Sequence, residues 1–297
     1  MLLCILSIAF YTLLERKVLG YAQNRKGPNK VMLIGLPQPI ADVIKLFSKE
    51  QLNPIISNPM PFILAPALSL TIRITLWHLY CSSSPVIIIS FSALFFLAVS
   101  AINVYGTLIA GWASNSKYAL LGAIRAVAQT ISYEVSIALI LLIPLILSQD
   151  LSINTFSLPQ IWFLLILFPT VLLWFITTLA ETNRAPFDFA EGESELVSGF
   201  NVEYCRGGFA LLFVAEYLNI LLISMLTAIL FIGSYTIGVI SVDFMLWLKS
   251  SIFMLFFLWA RAALPRLRYD QLISLTWKFF LPSIICIILL SIPWIFS

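Results

Sequence analysis

An all-α polytopic membrane protein, with about eight transmembrane helices and one interfacial amphipathic helix in a single domain over residues 1–297, is the fold this sequence predicts. Three observations predict it. Hydrophobic residues make up 61% of the chain and charged residues 10%, at a mean hydropathy of +1.00, against roughly 45–50% apolar in soluble globular domains. Stretches between charges repeatedly reach ~20 residues, the length a helix rising 1.5 Å per residue needs to cross about 30 Å of hydrocarbon. Lysines and arginines, finally, fall into alternate loops, as in a chain threaded several times through a bilayer. Stretches 139–147 and 220–232 are apolar on nearly every side, which excludes a barrel, whose strands of about 10 residues alternate in polarity.

The first apolar run, 1–14, has no basic residue before it and no small-residue cleavage site after it, so it reads as the start of a retained helix over 1–22 and not as a signal peptide. Its end, Glu15-Arg16-Lys17-Val18-Leu19-Gly20-Tyr21, has the snorkelling cations and belt tyrosine of an interfacial anchor. Glu15 spoils that reading, because with so little chain ahead of it the acid lies inside the span. In the following loop, Pro37-Gln38-Pro39 precedes Ile40, Val43, Ile44 and Phe47 at i, i+3, i+4, i+7, with Asp42, Lys45 and Lys49 on other faces. This is an amphipathic helix lying in the interface, its prolines at the start, where first-turn N–H groups have no helical acceptor.

Charges and Pro/Gly clusters delimit further spans at 60–80, 85–112, 119–148, 158–180, 207–233, 244–262 and 271–295. One side of the membrane then receives Arg25, Lys26, Lys30, Lys45, Lys49, Lys117, Arg184, Arg206, Arg266 and Arg268, while the loops near 81–84, 149–157 and 234–243 carry only Asp150 and Asp243. An even number of spans preserves the separation and puts both termini on the charge-poor side.

The chemistry concentrates where charge is misplaced. The loop 181–206 lies on the positive side yet holds Glu181, Asp188, Glu191, Glu193, Glu195 and Glu203, six of the 14 acids, interleaved with Phe187, Phe189, Leu196, Val197 and Phe200. It is either a solvated loop or a set of carboxylates packed among apolar groups and one another, whose ionisation desolvation and like charge both oppose. Groups of the second kind hold and pass protons near neutral pH. Glu134 and Glu216 fall within spans, where a charge at the bilayer centre costs about 2.5–3.5 kcal/mol on insertion scales. They either tie helices together or carry protons. Arg125, Gln129, Ser132 and Ser136 share one helical face and Glu134 with Thr130 points the other way, so protein is expected on all sides of this helix. Asn219, one turn from Glu216, is placed to bond whatever that acid contacts.

Several classes are excluded. Cys4, Cys81, Cys205 and Cys286 are far apart and His78 is the sole histidine, read as interfacial beside Trp77 and Tyr80, so no zinc, haem or iron–sulfur site can be assembled. No glycine-rich nucleotide loop is present, and a scattered net charge of +3 gives no case for nucleic acid.

The strings Leu14-Glu15-Arg16-Lys17-Val18-Leu19-Gly20-Tyr21, Arg25-Lys26-Gly27-Pro28-Asn29-Lys30, Ile131-Ser132-Tyr133-Glu134-Val135, Ala180-Glu181-Thr182-Asn183-Arg184-Ala185-Pro186-Phe187-Asp188 and Glu191-Gly192-Glu193-Ser194-Glu195-Leu196-Val197-Ser198-Gly199-Phe200-Asn201 resemble those of the chain 1 family of NADH-ubiquinone oxidoreductase, respiratory complex I, over roughly residues 5–280. The resemblance implies a core membrane subunit that forms much of the ubiquinone-binding chamber, with Arg25, Asp42, Phe187 and Asp188 at matching quinone positions. It places Glu15, Glu134, Glu181, Glu191, Glu193, Glu195 and Glu216 in or near an acidic proton relay coupling quinone reduction to pumping. It also implies ubiquinone as substrate, with FMN and iron–sulfur clusters in partner subunits and no redox centre in this chain. The partners would be peripheral-arm and membrane-arm subunits and membrane lipids. The location would be the mitochondrial inner membrane, charged loops toward the matrix, with synthesis inside the organelle and no transit peptide. Leu264 departs from the family, where an aromatic is common, so no quinone contact is carried over to it. Residue chemistry alone leaves two rivals: a free-standing secondary transporter whose buried acids bind a proton or cation, against which no internal repeat is detectable, and the related membrane subunit of an ion-pumping hydrogenase, which uses no quinone.

Overall fold

The computed structural model describes residues 2–32, 34–50, 52, 54–80, 89–153, 164, 167–190, 192–233 and 242–293. Nine helices run through them: α1 Leu2–Ala22, α2 Gln38–Ser48, α3 Pro59–Leu79, α4 Ser92–Ala113, α5 Lys117–Ser148, α6 Phe168–Glu181, α7 Arg206–Ile232, α8 Val242–Ala263 and α9 Tyr269–Ser291. Short turns at Glu193–Leu196 and Gly199–Asn201 punctuate the acidic loop. The described residues thus form the all-helical, polytopic class expected.

Six of these helices, α3, α4, α5, α7, α8 and α9, are long and apolar enough to cross a membrane. α1 has the length, 21 residues, but carries Glu15, Arg16 and Lys17 together near its end. α6 is described for 14 residues, and its expected start near 158 lies outside the described residues, as do the expected start at 85, the end at 295 and most of the loops 81–84 and 234–243. Elsewhere the ends fall close to expectation, because charge and proline stop both the apolar run and the helix. Pro66 and Pro144 sit inside α3 and α5, tolerated where neighbouring helices support the interrupted backbone.

α7 is the hub. From Tyr217 to Phe231 it is buried on all sides, the mark of a helix enclosed by others, with α1, α2, α3 and α8 packed around it. Its two buried hydroxyls beyond Asn219 are satisfied locally: Ser224 and Thr227 donate to the carbonyls of Leu221 and Ser224 at 2.7 Å. α4 and α5 pack on small residues, Gly111 lying so close to Ala119 and Ala123 that an added methyl would collide with both.

α5 does not meet the expectation of protein on every side within this chain. Gln129, Tyr133, Ser136, Ile137 and Ile140 are buried, but Leu120, Leu121, Ile124, Ile131, Val135 and Leu142 are exposed. Between Leu120 and Leu142 the exposed strip is apolar, suited to lipid or a neighbouring subunit, and Glu134 sits half-buried at its margin. α2 exposes Ile40, Val43, Ile44 and Phe47, an apolar stripe turned away from the bundle, as interfacial binding requires.

Hydrogen bonds gather the loops into two ends. At the basic end Asn58 N–H donates to Ala113 O at 3.0 Å and Leu267 N–H to Pro186 O at 3.2 Å, and Arg206 donates to Phe47 O at 2.9 Å. At the other, Ala93 N–H donates to Leu151 O at 3.2 Å and Ile153 N–H to the Ser92 hydroxyl at 2.6 Å.

Candidate functional site

The charged end of α1 brings Glu15 between the acidic loop, α7 and α8, where it is buried. Arg184 Nη1 lies 3.1 Å from Oε1, Arg261 bonds the same oxygen, and the Tyr217 hydroxyl donates to Oε2 at 2.6 Å. The Arg184 guanidinium stands 4.6 Å from the centre of the Tyr217 ring, a cation–π arrangement, and Tyr11 meets that ring edge-on at 5.9 Å. One carboxylate therefore faces two guanidinium groups. Burial alone would loosen the proton of Arg184, but Tyr217 and Glu15 beside it more than offset this, and its pKa lies above that of an ordinary arginine.

A second cluster lies where α3, α6 and α7 meet. Arg73, 6% exposed, points its Nη2 at Glu181 Oε1 at 3.5 Å and donates from Nη1 to Asn219 Oδ1 at 2.6 Å. Glu216 faces the same space as Arg73. Arg73, Glu181, Glu216 and Asn219, with Asn103 and Asn183, line a cavity of ≈ 30 Å³. Its polar walls and size suit water, which needs about 10–15 Å³ on this measure and two or more polar partners.

The remaining expected residues spread along the basic end. Phe187 is buried with its ring 6.0 Å from that of Tyr133, and Gln129 Nε2 ties the loop to α5 by donating to Ala180 O at 3.0 Å and Phe187 O at 2.9 Å. Asp188 pairs with Arg266 at 3.1 Å, and Glu195 with Arg125 at a more exposed rim. At these two positions an arginine stands beside the carboxylate. Asp42 pairs with Arg16 at 2.6 Å and accepts from Gln38 at 3.0 Å, joining α2 to α1. Arg25 is exposed just after α1, its N–H on Gly20 O at 2.8 Å. Glu191 and the side chain of Glu193 lie outside the described residues. The structure thus brings Glu181 and Glu216 to one cavity, leaves Glu134 half-buried on α5, sets Glu15 in an adjoining cluster, and places Asp42 and Asp188 in separate ion pairs.

A buried ionic network of this kind inside a helical membrane protein narrows the class without fixing it. The family model described as NADH dehydrogenase matches residues 1–292. The chain is 54% identical over 295 residues to NADH-ubiquinone oxidoreductase chain 1 of Thymallus arcticus, covering 97% of this chain and 91% of that one. It is 54% identical over 284 residues to the same chain of Murina suilla, covering 94% and 89%, and 52% identical over 302 residues to that of Balaenoptera physalus, covering 97% and 93%. The chain belongs to the NADH-ubiquinone oxidoreductase chain 1 family. A chain 1 family member is a subunit of a multichain oxidoreductase, which sets aside the free-standing transporter.

Four residues central to the clusters of this chain 1 family member escaped the sequence reading: Arg73, Arg261, Tyr217 and Tyr11. A signal existed for the arginines, since a cation inside an apolar run needs an anion, and the acids in the spans supplied candidates. No such signal existed for the tyrosines, whose partners are fixed only by packing.

Proposed function

We propose that, as a chain 1 subunit of proton-translocating NADH-ubiquinone oxidoreductase, this protein forms much of the ubiquinone-binding chamber and an acidic relay coupling quinone reduction to proton pumping. One observation carries the relay. Adjacent residues of α7 serve different clusters, Glu216 lining the Arg73 cavity and Tyr217 bonding Glu15, and Glu181 and Arg184 divide in the same way. The two buried polar clusters are thus carried by neighbouring residues of α7, between α1 and α3. A path of carboxyls and a water-sized cavity passes protons by short hops, with no group obliged to carry an uncompensated charge.

In this reading ubiquinone is the substrate, lying along α1, α2 and the loop 181–206 near Arg25, Asp42, Phe187 and Asp188. Electrons reach it from a neighbouring iron–sulfur subunit, and FMN and the clusters belong to partners. Reduction changes the charge near Asp188 and the acids Glu191, Glu193 and Glu195, and protons redistribute along Glu181, Glu134 and Glu216, with Glu15 at the chamber end. The chain sits in the mitochondrial inner membrane with its charged loops toward the matrix, among other complex I subunits and lipids.

Two measurements test this. Glu134→Gln and Glu216→Gln are expected to lower protons pumped per NADH while leaving assembly intact; normal pumping in both would sink the relay. On native electrophoresis in mild detergent the chain should migrate with NADH dehydrogenase activity, flavin and iron–sulfur in one large band. A small, inactive band beside intact complex I would overturn the subunit assignment.

A further inference from the structure

Arg73 is the charge that the relay has no evident need of. It lies deep in α3, an apolar helix that crosses the membrane by its length and composition. Carboxyls and water alone can hand protons on, and burying a guanidinium is costly unless it is paired and hydrogen-bonded, so its presence calls for a reason. Both conditions hold: Glu181 of α6 is its ion-pair partner and Asn219 of α7 accepts its hydrogen bond. From α7 it also faces Glu216, and the α4 residues on the cavity, Asn103 and Thr107, are uncharged. Guanidinium does not lose its proton in proteins, so this positive charge is permanent. Across the two clusters, Arg73 pairs with Glu181 and shares its cavity with Glu216, while Arg184 and Arg261 pair with Glu15. Removing Arg73 takes one positive charge from beside Glu181 and Glu216, and the buried charge is restored when one more carboxyl holds a proton.

We propose that Arg73 is a positioning residue of the relay, holding Glu181 at the cavity as a standing proton acceptor and so setting how many protons the buried carboxyls carry at rest. The inference rests on the relay reading above. A proton reaching Glu181 converts its carboxylate to the acid, and one leaves another carboxyl of the relay, which becomes the carboxylate; the buried charge is the same before and after.

The test is made on the assembled complex. Arg73→Met, similar in length and neutral, is expected to add one protonated carboxyl to the infrared carbonyl signal of the resting enzyme and to abolish pumping per NADH while quinone reduction continues. Arg73→Lys, which keeps the charge, is expected to retain the native signal and most of the pumping. An unchanged signal and normal pumping in Arg73→Met overturn the proposal, and so does equal damage from Lys and Met, which would make the role one of shape. Should Arg73→Met fail to assemble, the double variant Arg73→Met/Glu181→Gln removes both charges and is expected to assemble. Its failure where Glu181→Gln alone assembles would also overturn the proposal. The two readings separate cleanly: normal pumping in Glu181→Gln removes the relay itself, whereas lost pumping there with normal pumping in Arg73→Met keeps the relay and discards the role of Arg73.

Discussion

Glu15 shows what a single carboxyl can hold together. Its two oxygens take Arg184, Arg261 and Tyr217, residues 169, 246 and 202 positions away in the chain. Removing the carboxylate leaves two guanidinium groups facing each other, and deleting one partner of a buried ion pair costs about 3–5 kcal/mol. Tyr217→Phe loses only one hydrogen bond to a charged group, about 1.5–3 kcal/mol. Glu15→Gln is therefore expected to lower the thermal midpoint and the yield of assembled complex more than Tyr217→Phe, and equal losses would show that the arginines do not depend on the acid. The misplaced acid is legible in sequence, because Glu15 follows an apolar run directly and the structure carries α1 on past it to Ala22. Its partners are not, since sequence distances of this size are closed only by the packing of α1 against α7 and α8.

Helices tell the same story one level up. Their existence and approximate ends follow from apolar length and punctuating charge, which are local properties, and α2 was visible from four apolar residues on one face. The folding of the loop 182–205 is not local. Its turn Gly199–Asn201 seats on α5 through paired glycines: a methyl on Gly122 would stand 2.8 Å from the Gly199 Cα and 3.0 Å from the Phe200 nitrogen. Both neighbours are backbone, so nothing can rotate aside, and Gly199 itself holds φ +58°, a conformation that other residues enter at a cost. Overpacking of this kind costs about 1–3 kcal/mol. Gly122→Ala is expected to speed hydrogen exchange or proteolysis across 196–205. Gly207→Ala, where nothing lies within 4 Å of the added methyl, serves as the control, and equal protection in the two variants would show that the glycine contact does not seat the loop.

Across the whole molecule, the separation of charge into two ends is what turns a helical bundle into an oriented membrane protein. α5 tests it within one element, since Lys117 opens the helix among the basic loops and Asp150 lies just past its end beside the Ala93–Leu151 contact. Its 32 residues span about 48 Å at 1.5 Å per residue, well beyond the roughly 30 Å of hydrocarbon, so both ends clear the apolar layer even in a tilted helix. Both positions are exposed. A cysteine at Lys117 should react with a membrane-impermeant maleimide only in inside-out particles, and one at Asp150 only in mitoplasts, each read as the increment over the 4 native cysteines. Reaction of both from one side would mean that α5 does not cross, and the even count of spans would fall with it. Reaction from opposite sides in the reverse sense would keep the spans but turn the basic loops away from the matrix. The charge-rich end would then face the wrong compartment for a peripheral arm that oxidises NADH, and the chamber proposed between α1, α2 and the loop 182–205 would have no donor of electrons.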